Sequence, residues 1–407
     1  MIKIPSAFLT FYSLMVFFFL MPAVYILFTG EFSNLYIEYS DIEYESGLHL
    51  FLVSVGLSFV AFFIAYSAGK RRPLLFLNIN INRNDSMYGL HKKYIFIRKI
   101  LLPIVTIMVF VFFYKVGFQK LSLLGTEMDA WQFRMIGFDD TSRILIAFNE
   151  LARRVILPFF LVIELLNVLL VTRYKKKYFY FVLFLFAVGI VNTLDRAPLM
   201  TLMVLFIYIY IAVNPSIKKM VFGSFIALLS ISILASLMTY FQYNILDFDL
   251  MTIINSALDF IMHRVLMVPT HAALELSYIK FPMDGPFLNF QYTRLGALFG
   301  MEYVGTEMSN SVYVAPVGYI ADSWRNLGFF GVLFTSILLG FFASFVDRNL
   351  KKLNFYLAVV VSFMFVAFTL FLIFGVFYSQ GSFVQMAFIG FIILVLNKDI
   401  VRNRRKI

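Results

Sequence analysis

Apolar runs of eighteen residues or more recur from one end of this chain to the other, and no other feature limits its possible folds so tightly. A helix rises about 1.5 Å per residue, so about twenty apolar residues cross the ~30 Å hydrocarbon layer of a bilayer. Ten such runs can be read, with ends loose by a few residues: 7–29, 48–69, 99–117, 151–172, 178–194, 197–213, 219–241, 326–346, 354–377 and 382–397. The composition agrees. Of 407 residues, 61% are hydrophobic and 14% charged, about half the charge fraction of an ordinary soluble domain. The expected fold class is an all-α integral membrane protein with about ten transmembrane helices. The first run is full length, follows only Lys3 and has no small-residue cleavage site after it, so it reads as a span and not a removable leader.

The connections alternate in charge. Segments 70–98, 173–177, 214–218, 347–353 and 398–407 are basic, whereas 30–47, 118–150 and 242–325 are acidic or mixed. The basic side carries 23 Lys and Arg against 3 Asp and Glu; the other side carries 11 against 19. Lys and Arg are retained on the cytoplasmic side of a membrane. Both termini are therefore expected inside, which an even number of spans allows. The net charge of +11 follows from this topology and calls for no nucleic acid partner. With no cysteine in the chain, disulfides, Cys-ligated zinc and thiol catalysis are excluded.

The reading is of one polytopic domain, 1–407, with two long connections on the outer face: 118–150, and a large loop at 242–325 between spans seven and eight. The first reads as short amphipathic helices at the membrane surface. The second is too long for an idle connection. Within it, Met251, Ile254, Leu258, Ile261, Met262 and Val265 form a helical apolar stripe, Pro269 ends that helix, and a turn follows at Pro282-Met283-Asp284-Gly285-Pro286.

Arginine is concentrated on the outer face. Its eleven basic residues include Arg134, Arg143, Arg153, Arg154, Arg196, Arg264, Arg294 and Arg325, and only three lysines. Orientation gives no reason for that preference. The guanidinium is a planar, permanently charged fork suited to bidentate contact with phosphate or carboxylate. The set points to an anionic ligand; the competing reading pairs these residues with the acids of their own loops. Arg196 lies in the tight turn Asn192-Thr193-Leu194-Asp195-Arg196-Ala197-Pro198, at headgroup depth, as a phosphate clamp or as an Asp195-paired, snorkelling residue. Arg153 and Arg154 open span four at similar depth, where they would serve the ligand or anchor the interface.

Ahead of span eight, Tyr319, Asp322 and Arg325 fall at helical spacing. Asp322 would accept a proton from a sugar hydroxyl or pair with Arg325 across one turn. His263 and His271 are general-base candidates in the large loop, or ordinary loop histidines. Asp247-Phe248-Asp249 reads as a helix start, since nucleotide sugars are cytoplasmic and this segment is placed outside. Glu164 is the one carboxylate deep within an apolar run and reads as isolated, although buried charge in a membrane is usually functional.

Three stretches carry a resemblance. Thr193-Leu194-Asp195-Arg196-Ala197 resembles the short Ser-Arg-Gly/Ala turn of the polymerase and ligase superfamily, with Asp in place of Ser. His263-Arg264-Val265-Leu266-Met267-Val268-Pro269 resembles an Arg-containing element of its late loop. Gly318 to Gly331, with Asp322 and then Asn326-Leu327-Gly328, resembles its entry to the next span. Together with the span count and the long late loop, the chain resembles the Wzy-type oligosaccharide repeat-unit polymerases, the O-antigen polymerase family. The resemblance implies a glycosyltransferase-C-like, metal-independent enzyme without cofactor. It implies polymerisation of undecaprenyl-diphosphate-linked repeat units at the periplasmic face of the bacterial inner membrane. Donor, acceptor and membrane lipid would be its partners, with room for a chain-length regulator. In that scheme Asp322, Arg196 and Arg264 would be catalytic, and Arg325, Arg294, Arg153, Arg154, His271 and Tyr319 would bind substrate. The alternatives are an O-antigen ligase, which would rely on a loop histidine, and a transporter or flippase of lipid-linked oligosaccharides, for which inverted repeats are expected and none is evident.

Overall fold

The computed structural model describes residues 2–29, 41–69, 75–79, 86–122, 141–170, 174–193, 318–353, 355–374 and 380–396, and isolated positions between 202 and 255. Apart from one small strand pair, these residues are nearly all helical. Eight helices are labelled in chain order: α1 Ala7–Thr29, α2 Asp41–Gly69, α3 at 86–122, α4 at 143–170, α5 Lys177–Thr193, α6 Gly318–Leu350, α7 Phe355–Phe374 and α8 at 380–396. Among the described residues, five helical segments are long and apolar enough to cross a membrane: Ala7–Thr29, Ser46–Gly69, Tyr94–Ser122, Leu327–Leu350 and Phe355–Ile373. This is the architecture of an all-α membrane protein.

Apolar side chains cover both the inside and the outside of the bundle. Helix α7 is buried along nearly its whole length, Phe355 to Phe365 without a break. The outer helices present Phe28, Val60, Ile64, Ile107, Phe330 and Phe334 outward. Such an outward apolar surface would drive aggregation in water and is matched by lipid chains.

Lipid provides no hydrophobic drive between helices, so close packing must hold them together. The most extensive helix pairing among the described residues joins α2 to α6. On α6, Ser336, Gly340 and Ser344 recur every four residues and form one small-residue stripe. A Cβ on Gly340 would lie 2.5 Å from the Phe62 carbonyl oxygen and 2.8 Å from Cβ of Ala65, and one on Gly69 would collide with Ser344. At one end of this pair Asp347 is fully buried. Its carboxylate accepts from the Ala7 amide (2.8 Å) and the Tyr66 hydroxyl (2.6 Å), fastening the first turn of α1, where the helix dipole favours negative charge. Beside it Ser6 caps α1 by accepting from the Leu9 amide. Strand β1, Ile2–Pro5, pairs antiparallel with β2, Phe76–Ile79, a non-local pairing that hydropathy gives no hint of.

Helix α6 is not straight. Gly328 has φ 60° and ψ −147°, a conformation essentially confined to glycine. Residues on either side of it touch although a straight helix would hold them far apart. Ser323 Oγ donates to Thr335 Oγ1 at 2.9 Å, twelve positions on, where a straight helix would separate them by about 18 Å. Gly331 abuts the Ser323 carbonyl so closely that a Cβ would collide with it. Trp324 stacks edge-on with Phe329, ring centroids 4.3 Å apart. The helix therefore folds back at Gly328 into a short arm, 318–327, lying antiparallel along the long arm. Gly328 lies about 28 Å up the long arm from Asp347, a length comparable with a hydrocarbon layer, and Ser336 about 16 Å up. The Tyr319 hydroxyl meets Ser58, itself bonded to Ser336, so the short arm reaches to about the middle of the long arm. The apolar run 326–346 thus falls on the long arm, a segment long and apolar enough to cross a membrane, while the segment before it is a half-helix folded back along that arm.

Two substitutions test this packing by thermal melting of the purified protein. Gly328→Ala should cost about 1–3 kcal/mol through backbone strain, and Gly340→Leu a similar amount through overpacking. Gly390, where an added Cβ would meet nothing within 4 Å, should tolerate alanine unchanged.

Candidate functional site

The short arm brings Asp322 into the interior. Tyr319 through Trp324 are all buried, Asp322 with 2% of its surface exposed. Tyr319 packs against Phe11 and Phe19 of α1, ring centroids 6.0 and 6.1 Å away, and its hydroxyl shares a short hydrogen bond with Ser58 of α2. A substrate contact by Tyr319 would require that bond to be given up. Polar groups on the arm thus face partners on α2 and the long arm, and Asp322 lies one helical turn from Tyr319. The Arg325 backbone is helical here; its side chain lies outside the described residues, as do Arg196, Arg264, Arg294 and His271. The described part of α5 reaches Thr193, three residues before Arg196. There Asn192 is buried against Gly117 and donates to the Val109 carbonyl at 3.2 Å, fixing the end of α5 to α3.

Arg153 and Arg154 sit on the π-helical turn Ala152–Ile156 of α4. Both guanidinium groups are paired with one carboxylate, Glu150, and Arg154 also lies over the Phe371 ring at 4.9 Å. The loop-pairing reading of these two residues is thereby realised in part: one negative charge is shared between two positive ones. Arg153 is buried, and the wide π turn turns it toward the bundle.

Glu164 has partners that the linear sequence does not disclose. It is fully buried and ion-paired at 3.0 Å with Arg98, sixty-six positions away on α3. The Tyr94 hydroxyl donates to it at 2.5 Å, and Tyr174 donates in a short hydrogen bond. Arg98 lies over the Tyr178 ring at 3.7 Å. Burial, and then the bond to Glu164, hold the Tyr174 hydroxyl above the usual tyrosine range, which keeps it a donor. The isolated carboxylate is in fact the junction of α3, α4 and the segment leading into α5. Nothing in this fully matched cluster is left for a ligand, and it reads as a brace.

No protein-family model, no curated protein and no solved structure matches the chain. What the geometry defines is a class: a helical membrane protein in which a half-helix carries a buried carboxylate into the bundle.

A double-mutant cycle checks the brace. Arg98→Met and Glu164→Leu should each cost roughly 3 kcal/mol because each strands a charge, whereas the two combined should cost much less than their sum. Additive losses in melting experiments would show that the pair is not coupled.

Proposed function

We propose that this protein is a membrane glycosyltransferase that polymerises undecaprenyl-diphosphate-linked oligosaccharide repeat units into long-chain surface polysaccharide. It works at the periplasmic face of the bacterial inner membrane, with both termini cytoplasmic. The observation that carries the reading is Asp322, a carboxylate buried on an inserted half-helix whose turn at Gly328 lies at the end of the bundle opposite Asp347. Carboxylates are costly at that depth and are retained for a task. The end of the bundle near Asp347 carries Arg348, Lys351 and Lys352, which supports reading it as the cytoplasmic end, by the retention of basic residues, and the Gly328 end as periplasmic.

The chemistry follows from the charges. Asp322 takes the proton of an acceptor sugar hydroxyl as its oxygen attacks the anomeric carbon of the donor glycan. The bond from that carbon to the diphosphate oxygen breaks, and undecaprenyl diphosphate leaves with the electron pair. Arg196, Arg264 and Arg325 stabilise the negative charge that develops on the leaving group, and Arg294 and His271 of the large loop complete the substrate contacts. Both substrates stay anchored in the membrane, so no soluble catalytic domain is needed.

Asp322→Ala and Arg196→Ala strains should each lose about 100-fold or more of their long surface polysaccharide while the variant protein stays in the membrane at normal abundance. Wild-type chain-length ladders from both would end the assignment of these residues.

A further inference from the structure

Helix α4 begins inside out. On its first turns Ile144 is 69% exposed and Phe148 42%, whereas Asn149 is 1% and Arg153 3% exposed. Ile144 and Phe148 are one helical turn apart, as are Asn149 and Arg153, so the helix turns one apolar face outward and one polar face into the protein. Helix α8, which packs against this part of α4, repeats the arrangement: Phe383 and Val384 are exposed while Ser382 and Gln385 are buried. Phe159 meets Phe388 edge-on, ring centroids 5.5 Å apart, and fixes the two helices side by side. Arg153 and Gln385 then lie about 9 and 5 Å along their helices from that contact. A protein surrounded by lipid has reason to face polar groups inward when something polar occupies the space between them.

The hydrogen-bonding state of these groups identifies what that is. Several buried polar side chains of the bundle are matched, Asp347 by Tyr66 and a backbone amide, Glu164 by Arg98 and two tyrosines, Tyr208 by Ser362, while the hydroxyls of Ser67 and Ser344 and the Oδ1 of Asn192 each lack a partner. Neither the Nδ2 nor the Oδ1 of Asn149 has a partner, and the Oε1 of Gln385 has none. Two of these three atoms are acceptors and require a donor. A phosphate brings only acceptors and would leave both amide oxygens unmatched. A sugar hydroxyl donates and accepts at once, and an amide pairs with it through both of its ends.

We propose that Asn149 and Gln385, beside Arg153, form a sugar-binding subsite between α4 and α8 that holds hydroxyl groups of the lipid-linked glycan and not its diphosphate. This rests on the polymerase reading and extends it, giving this cluster the glycan and leaving the pyrophosphoryl group to Arg196 and the loop arginines.

Leucine matches asparagine in size and removes both orphan atoms. The experiment compares Asn149→Leu, Gln385→Leu and a complete deletion in the source bacterium, and follows melting and binding of sugar-free undecaprenyl diphosphate by the purified full-length proteins. The proposal expects each variant to melt at or above the wild-type temperature, because an unmatched buried amide has been removed. It expects each to bind undecaprenyl diphosphate within twofold of wild type, and to lose at least tenfold in long polysaccharide. Normal ladders in both variants, in a bacterium whose deletion strain has none, would overturn the subsite and leave the polymerase reading standing. Weakened binding of undecaprenyl diphosphate would also overturn it, by making the cluster an anion site. A normal ladder in the deletion strain would remove both.

Discussion

Close approach of α2 and the long arm of α6 sets the terms for the remainder of the molecule. Hydrocarbon does not push helices together, and this pair meets through Gly69, Gly340 and Ser344 with no room for a further carbon at either glycine. That approach brings Ser58 and Ser336 within 2.9 Å of one another and so builds the polar ledge on which the Tyr319 hydroxyl rests. Without the ledge, the short arm of α6 would carry the Tyr319 hydroxyl into an apolar interior without its Ser58 partner. Asp347 secures the other end of the pair by tying the start of α1 to Tyr66 of α2.

Some charged and polar groups join helices through matched contacts, as at Asp347 and in the cluster of Glu164, Arg98, Tyr94 and Tyr174. On the inward faces of α4 and α8 the amides of Asn149 and Gln385 keep unmatched atoms, while the apolar residues of the same turns are exposed. Those inward amides, more than the number of charges, support the proposed substrate rich in hydroxyl groups.

Hydropathy alone disclosed the helices. The run 7–29 is observed as Ala7–Thr29, 178–194 as Lys177–Thr193 and 354–377 as Phe355–Phe374, because transfer of an apolar helix into lipid is a local property of composition. Apart from isolated positions, runs 197–213 and 219–241 and most of the loops 118–150 and 242–325 lie outside the described residues. The fold-back of α6 was not legible. Hydropathy reports what a segment is made of and not the path it takes, and its only local sign was Gly328 within Asn326-Leu327-Gly328. Nor was the partner of Glu164, since Arg98 reaches it across sixty-six positions. Of the candidate site, Asp322, Tyr319, Arg153 and Arg154 could be followed into the structure. Asn149 was missed, although its sign was present: it stands with Arg153 on the face opposite Ile144 and Phe148, an alternation meaningful only once lipid is taken as the solvent.

The inserted half-helix is the claim on which the placement of Asp322 depends, and a chain with no native cysteine allows it to be measured directly. In the full-length protein in membranes, Ser323→Cys combined with Thr335→Cys should close a disulfide on mild oxidation, seen by mass spectrometry as one cross-linked peptide pair. Two cysteines that stay reduced under conditions that oxidise a control pair would mean that α6 runs straight through Gly328, and Asp322 would then lie outside the bundle.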